Sequence, residues 1–156
     1  MIEVNIPGFG ELSLEHLVLD YNGTLALDGK LLPGVPEVLG SLQEELSIHI
    51  VTADTFGLAS KQLARLPGNL TILPAGNQQE AKLEFIQKLG VEHVVAIGNG
   101  RNDAKMLAAA AIGISVIQRE GAAASALASS DIIANSFWEA LELLRNPRRL
   151  VATLRS

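Results

Sequence analysis

Short apolar runs alternate along this chain with longer stretches in which apolar residues recur every three or four positions. HLVLD (16–20), SIHIVTAD (47–54), LTILPA (70–75), HVVAIGNG (93–100), IGISVI (112–117) and SDIIAN (130–135) have the length of buried strands. Between them, 34–46, 57–66, 78–90, 102–111 and 121–130 have helical periodicity, and FWEALELLR (137–145) closes the series. In 78–90, Leu83, Ile86 and Leu89 share a face and Gly90 supplies a stop. This alternation predicts an α/β fold of three layers, a parallel sheet with helices on both faces. The opening MIEVNIPGFGELSLE alternates apolar and polar residues around Pro7-Gly8 and predicts an antiparallel hairpin at one sheet edge. LALDGKLLPGV (25–35) places Asp28-Gly29 between apolar arms and predicts a second, shorter hairpin, a flap.

Composition narrows the function classes. At 156 residues the chain suits one domain, 1–156, with one core. No apolar run approaches a membrane span and the N-terminus lacks a signal-peptide pattern, so a cytoplasmic, membrane-free protein is expected. The absence of cysteine excludes disulfides, thiolate metal sites and cysteine nucleophiles. A net charge of −5 argues against nucleic-acid binding. The four arginines of RNPRRLVATLR are expected on the solvated face and C-terminal turns of the last helix.

In open α/β sheets ligands bind beyond the C-terminal ends of the strands, near the switch in strand order. The predicted ends carry Asp20, Asn22 and Thr24, then Thr52 and Asp54, then Asn99, Asn102 and Asp103. His16, His49 and His93 fall at the starts or middles of strands instead. Asp20 leaves an apolar strand into the turn-prone Asn22-Gly23, where a carboxylate can act as a nucleophile toward phosphorus or as a metal ligand. Asp103 sits in the glycine-rich strand-to-helix turn of AIGNGRNDAKML. Two facing carboxylates call for a cation, and Mg²⁺ accepts one or two of them beside waters and phosphate oxygens. Thr52 can donate to a phosphate oxygen, and Lys82 can offset phosphoryl charge. Spacing alone does not separate Lys82 from Lys61, Lys88 and Lys105.

These stretches resemble the motifs of the haloacid dehalogenase-like superfamily. DYNGT is similar to its first motif, Asp-x-Asp-Gly-Thr; Thr52 in IVTAD resembles the second, Lys82 the third, and GNGRND the fourth, Gly-Asp-Gly-x-Asn-Asp. IGNGRNDAKMLAAAAIGISV, with SALASSDIIAN after it, resembles the phosphorylation domain of P-type ATPases and their small relatives. The resemblance implies a Rossmann-like core and Mg²⁺-dependent phosphoryl transfer through an aspartyl-phosphate. Asp20 would be the nucleophile, with Asn22, Thr52 and Lys82 in the catalytic set. Gly23, Thr24, Ala53 and Asn102 would contact the substrate, and Asp20, Asn22, Asn99 and Asp103 would border the metal.

Two positions depart from that pattern. Asn22 stands where phosphatases of the family carry the general acid/base, and Asn99 stands where the fourth motif carries its first acid. An amide keeps the shape but carries no proton to a leaving group. That help is worth about 10²–10⁴-fold, roughly 3–5 kcal/mol of barrier. The sequence therefore leaves open a slow phosphohydrolase, a weak or inactive phosphate- or partner-binding module, and a regulatory subunit. Both departures are also Asn-Gly pairs, the dipeptide most prone to deamidation.

Only 27 residues separate Thr24 from Thr52 and 29 separate Thr52 from Lys82, so no cap domain is expected. A capless site admits a large phosphorylated substrate or is closed by a second subunit. Leu25, Leu27, Leu31 and Leu32 are expected to be exposed on the flap and to support a homo-oligomer, a dimer or tetramer.

Overall fold

The computed structural model describes residues 1–53, 57–64 and 66–156, and Asp54 lies outside them. Ten strands are described: β1 (Ile2–Ile6), β2 (Gly10–Leu14), β3 (His16–Asp20), β4 (Ala26–Leu27), β5 (Lys30–Leu31), β6 (Ser47–Thr52), β7 (Asn69–Ile72), β8 (Val94–Gly98), β9 (Ile112–Val116) and β10 (Ile132–Ala134). The helices are α1 (Val35–Leu42), α2 (Leu58–Leu63), α3 (Gln78–Leu89), α4 (Ala104–Ala109), α5 (Ala124–Ser129), α6 (Phe137–Arg145) and α7 (Pro147–Leu154).

Six strands form a parallel sheet in the order β10-β9-β8-β3-β6-β7. The chain runs from β3 outward through β6 and β7, then returns to the other side of β3 for β8, β9 and β10. The switch in strand order falls between β3 and β8, the place at which open α/β sheets bind ligands. Asp20 ends β3, and Asn99 directly follows β8.

Strand alternation divides the core into two layers. Leu17, Leu19, Ile48, Ile50, Val95 and Ile97 face α1, α6 and α7. Val18, Val51, Val94 and Ala96 face Ile86 of α3, Met106 and Leu107 of α4, and Ala126 of α5. Strands apolar on both faces are what a covered parallel sheet requires. Among the described residues, no helix is long and apolar enough to cross a membrane.

Three expectations are corrected. The N-terminal hairpin does not extend the central sheet; β1 and β2 form a sheet of their own. Only Glu15 separates β2 from β3, and both edges of the central sheet belong to β10 and β7, so the hairpin folds across the strands' N-terminal ends. It is tied there by Glu15 N–H donating to the His93 carbonyl at 2.9 Å. Second, the last helix breaks at Asn146-Pro147, because proline has no N–H to continue α6 and is pre-set to begin α7. α7 then buries Leu150 in the same cluster as Ile2, Ile6 and Leu14 of the hairpin.

The third concerns the flap. β4 and β5 pair as an antiparallel hairpin, with Asp28 and Gly29 at φ 52° and 76°, the primed turn that Asp-Gly favours. Its leucines, however, are not exposed. Leu25 is fully buried, and Leu27, Leu31 and Leu32 are half-buried, the last two packed on the main core. A short hairpin lying against the body turns its apolar side chains inward.

Candidate functional site

The chain reverses sharply after Asp20. The Tyr21 carbonyl accepts from the N–H groups of Thr24, Leu25 and Ala26, and Gly23 N–H donates to the Ala26 carbonyl at 2.9 Å. Gly23 has φ +77°, and a Cβ there would stand 2.2 Å from Asn99 Nδ2, so both the backbone and the space require glycine. This loop holds Asp20 at the rim with 6% exposure and Thr24 fully buried.

Lys82 enters from α3, whose start is capped by the Asn77 side chain accepting from Glu80 N–H. The residue is only 1% exposed. Its ammonium donates to Asp20 Oδ1 at 2.7 Å, to Asp103 Oδ1 at 2.7 Å and to Asn102 Oδ1 at 3.4 Å. Lys61 and Lys88 are exposed, and Lys105 pairs with Glu80 on the surface, so geometry separates Lys82 from its competitors. The other oxygen of Asp103 accepts from Asn99 N–H at 3.1 Å and Gly100 N–H at 2.8 Å. Asp103 thus closes the β8–α4 loop and positions Lys82. For it to reach a metal, Lys82 would have to yield an oxygen.

Two carboxylates and one ammonium meet in a buried site. Burial would strip the proton from Lys82, but Asp20 and Asp103 outweigh it and raise its pKa, so it stays charged. Burial, reinforced by Asp103, pushes the Asp20 carboxyl up to about 7, against the opposing pull of Lys82 and the Tyr21 N–H.

Asn99 is packed against Gly23, with its Nδ2 donating to the Gly121 carbonyl at 3.1 Å. Its Oδ1 has one long contact, 3.5 Å from the Thr24 hydroxyl. Thr52 is buried at the end of β6, one residue past Val51, the register partner of Asp20. Ala53 follows it, half-buried. Asn22 and Asn102 are exposed at the rim. The histidines lie elsewhere: His16 Nδ1 and His49 Nε2 are 3.2 Å apart, and His93 Nδ1 meets the Ser13 carbonyl at 2.8 Å.

As a metal site, the donor set is modest. Among the described residues there is no group of three or more His, Cys, Asp or Glu placed to hold an ion. The Asp20 carboxylate and the lightly engaged Asn99 Oδ1 offer hard oxygen ligands of the kind Mg²⁺ takes when waters and phosphate oxygens complete its shell. The residues fit Mg²⁺, with one charge fewer than two acids would give.

The sequence reading passed over Gln118. Its Nε2 donates to the carbonyls of Gly23 and Thr24, both at 3.0 Å, and its Oε1 accepts from Phe137 N–H at 2.8 Å. Gln118 follows β9, whose C-terminal end opens on the same rim, so the strand-end rule would have found it. Two clefts of about 490 Å³ each flank the site. One runs beside the flap along Gly23, Leu27, Leu32, Ile117 and Trp138. The other lies between α3 and the β8–α4 loop, lined by Asn77, Gln78, Gly100, Arg101 and Asn102.

Comparison with known proteins agrees with this architecture. An uncharacterized protein of Methanocaldococcus jannaschii is 43% identical over 84 residues, 51% of this chain and 90% of the relative. A magnesium-, phosphate- and KDO-bound 3-deoxy-D-manno-octulosonate 8-phosphate phosphatase from Moraxella catarrhalis superposes with a TM-score of 0.66 at 21% identity, covering 91% of this chain and 94% of that one. The cobalt-bound deoxy-D-mannose-octulosonate 8-phosphate phosphatase from Haemophilus influenzae gives 0.70 at 11% identity, with 92% and 94% covered. A phosphoserine phosphatase in apo form gives 0.67 at 14%, with 86% and 99% covered. At these identities the likeness shows the fold. The family is shown by the match of the haloacid dehalogenase-like hydrolase model to residues 2–111, and the chain belongs to that family.

Proposed function

We propose that this protein is a Mg²⁺-dependent phosphoryl hydrolase or transferase that works through an aspartyl-phosphate on Asp20. The observation that carries this reading is the Lys82 ammonium held 2.7 Å from both Asp20 and Asp103. It fixes the orientation of the nucleophile and offsets the charge that phosphorus brings. Phosphoryl transfer needs little else from a protein than positioning and electrostatic stabilisation. The fold-level neighbours that act on 8-phosphate and phosphoserine substrates support the same class.

In the first step a carboxylate oxygen of Asp20 forms a bond to phosphorus, and the leaving oxygen departs with its electron pair. Thr52 and the Gly23-Thr24 turn border the phosphoryl oxygens. In the second step water attacks the aspartyl-phosphate, releasing phosphate and restoring the carboxylate. Asp20 and the Asn99 oxygen would hold Mg²⁺, which when bound supplies charge neutralisation at the phosphoryl oxygens.

With an amide at position 22, solvent rather than a side chain exchanges the protons. The rate is therefore low and biased toward good leaving groups such as acyl phosphates. The same two amides, Asn22 and Asn99, favour a second reading, a phosphate-binding module without turnover. Incubation with acetyl phosphate and Mg²⁺, followed by mass spectrometry, decides between them. A hydroxylamine-labile phosphoryl adduct on Asp20, lost in Asp20→Asn, is expected; its absence overturns the proposal.

A further inference from the structure

The chain contains two Asn-Gly pairs, Asn22-Gly23 and Asn99-Gly100, and both are at this site. In such a pair the glycine nitrogen, unshielded by a Cβ on its own residue, attacks the asparagine side-chain carbon. A C–N bond forms, ammonia leaves with the glycine N–H proton, and a cyclic imide remains. Water then opens either imide bond, giving aspartate or isoaspartate.

The two pairs stand in different surroundings. Asn99 is 9% exposed, with its leaving amide anchored on the Gly121 carbonyl. Its attacking partner, Gly100 N–H, is held on Asp103 Oδ2 at 2.8 Å. The Asn99 backbone is fixed as well, through its own N–H on Asp103 and its carbonyl accepting from Ala123 N–H at 2.8 Å. Asn22 is exposed, and its side chain has no hydrogen-bond partner among the described residues. The Gly23 nitrogen carries one bond, to the Ala26 carbonyl of the same turn, in which Asn22 is the exposed residue and Gly23 to Ala26 are buried. Cyclisation at Asn99 requires dismantling the buried network around Asp103. At Asn22 the side chain already stands in solvent, and cyclisation requires that the turn held by the Tyr21 carbonyl and Gln118 relax.

We propose that Asn22 is a self-modification site, deamidating in the folded protein while Asn99 persists, and that its aspartate form supplies a proton-transferring group beside Asp20. Asp20 is engaged as the nucleophile, and both oxygens of Asp103 carry bonds. Lys82 is locked between two carboxylates, and the other described strand-end groups, Asn22, Thr24, Thr52, Asn99 and Asn102, are amides and hydroxyls. A carboxyl at position 22 adds a titratable group two residues from Asp20, open to solvent. Isoaspartate would instead lengthen the backbone of the turn and disturb Asp20, so only part of the aged population gains activity. The modification stands independently of phosphoryl transfer; its catalytic consequence rests on that proposed function.

The test ages the wild-type protein in warm, mildly alkaline buffer beside Asn22→Gln and Asn22→Asp. Trypsin releases Met1–Lys30 and Leu89–Arg101 as separate peptides, each with one Asn-Gly pair. The first should gain one mass unit over time in wild type and not in Asn22→Gln, while the second stays unchanged. Aryl-phosphate hydrolysis should rise in step, roughly tenfold or more, toward that of Asn22→Asp, within the range general acid–base help provides. The proposal is overturned if Met1–Lys30 gains no mass while urea-unfolded chain does, if Asn99 converts as fast, or if Asn22→Asp hydrolyses no faster than fresh wild type. The Asp20 adduct from acetyl phosphate reports separately on the proposed function. An adduct without a mass gain sinks only the self-modification, and a mass gain without an adduct sinks the phosphoryl-transfer reading and the catalytic consequence with it, leaving the modification itself.

Discussion

Lys82 meets Asp103 at the same 2.7 Å that separates it from Asp20, so one buried ammonium joins the last residue of β3 to the β8–α4 loop. Removing it leaves two buried carboxylates facing each other with no cation between them. Breaking a buried ion pair by deleting one partner costs about 3–5 kcal/mol. Lys82→Met should lose stability of that order in urea titrations at neutral pH. The loss should shrink at low pH, where the uncompensated carboxyls take up protons. A loss independent of pH would show that packing, not charge, is the role of Lys82.

Asp20 gives a pH signature of its own. Its carboxyl is raised from 3.8 to about 7 in the folded state, so the fold binds this proton more tightly than the unfolded chain does. Its contribution to stability is fully present below about pH 4 and is lost as pH rises to about 7, after which it is constant. Nucleophilic competence runs the opposite way, because attack needs the carboxylate. Adduct formation should therefore climb through pH 7 while stability declines toward it. Asp20→Asn should remove that decline from the stability profile, and an unaltered profile would refute the assignment.

Much of this candidate site is legible in the sequence, because strand ends in an alternating α/β chain converge on one rim. Asp20, Thr52, Asn99 and Asp103 lie at or just beyond such ends. Lys82 needed the family resemblance, since a helical lysine buried on the second turn of α3 looks like any other in sequence. Gln118 left a weaker trace: its partners are backbone carbonyls and one backbone N–H, and these have no side-chain signature. The flap leucines were misread because alternation in a two-residue strand does not say which face meets the core. The break before α7 was missed because the apolar spacing of Leu150, Val151 and Leu154 continues past Pro147, which is the residue that marks it.

His49 opposes Asp20 in the pH balance. Burial, with a smaller contribution from His16, lowers its pKa below 6.5, so the fold favours the neutral ring. The stability it contributes is present above pH 6.5 and is lost as pH falls through the depressed folded value. Phe85 packs edge-on against the ring, with centroids 5.6 Å apart, which leaves little room for a charged, hydrated imidazolium. His49→Gln should flatten the acid limb of the stability curve below pH 6.5 without altering adduct formation at neutral pH.

Gln118 acts on Asp20 through the turn it holds. Gln118→Met keeps the length of the side chain but removes two donations to the Gly23 and Thr24 carbonyls and leaves Phe137 N–H without its acceptor. An unsatisfied buried group costs about 1–3 kcal/mol, so stability should fall by that order. Leu144→Ala, in the core of α6, serves as a control of equal or greater instability away from the site. If Gln118 positions the nucleophile, its variant should lower kcat with KM little changed, whereas the Leu144 variant should leave kcat intact. Equal kcat in both would reduce Gln118 to a structural tie.

Asn99→Asp restores a charge at the second strand end, beside an Oδ1 position already facing the Thr24 hydroxyl at 3.5 Å. A second carboxylate should tighten Mg²⁺ by roughly tenfold or more, about 1.4 kcal/mol, since hard divalent ions prefer charged oxygen ligands. Without the ion, the extra charge faces Asp20 and Asp103 and should destabilise the fold. Calorimetric titration with Mg²⁺ and thermal melts with and without it should therefore move in opposite directions: tighter binding, lower stability in chelator, and a larger rise in Tm on adding Mg²⁺ than wild type gives. A variant that binds Mg²⁺ no better would show that the Asn99 oxygen does not reach the ion, leaving Asp20 as its protein anchor.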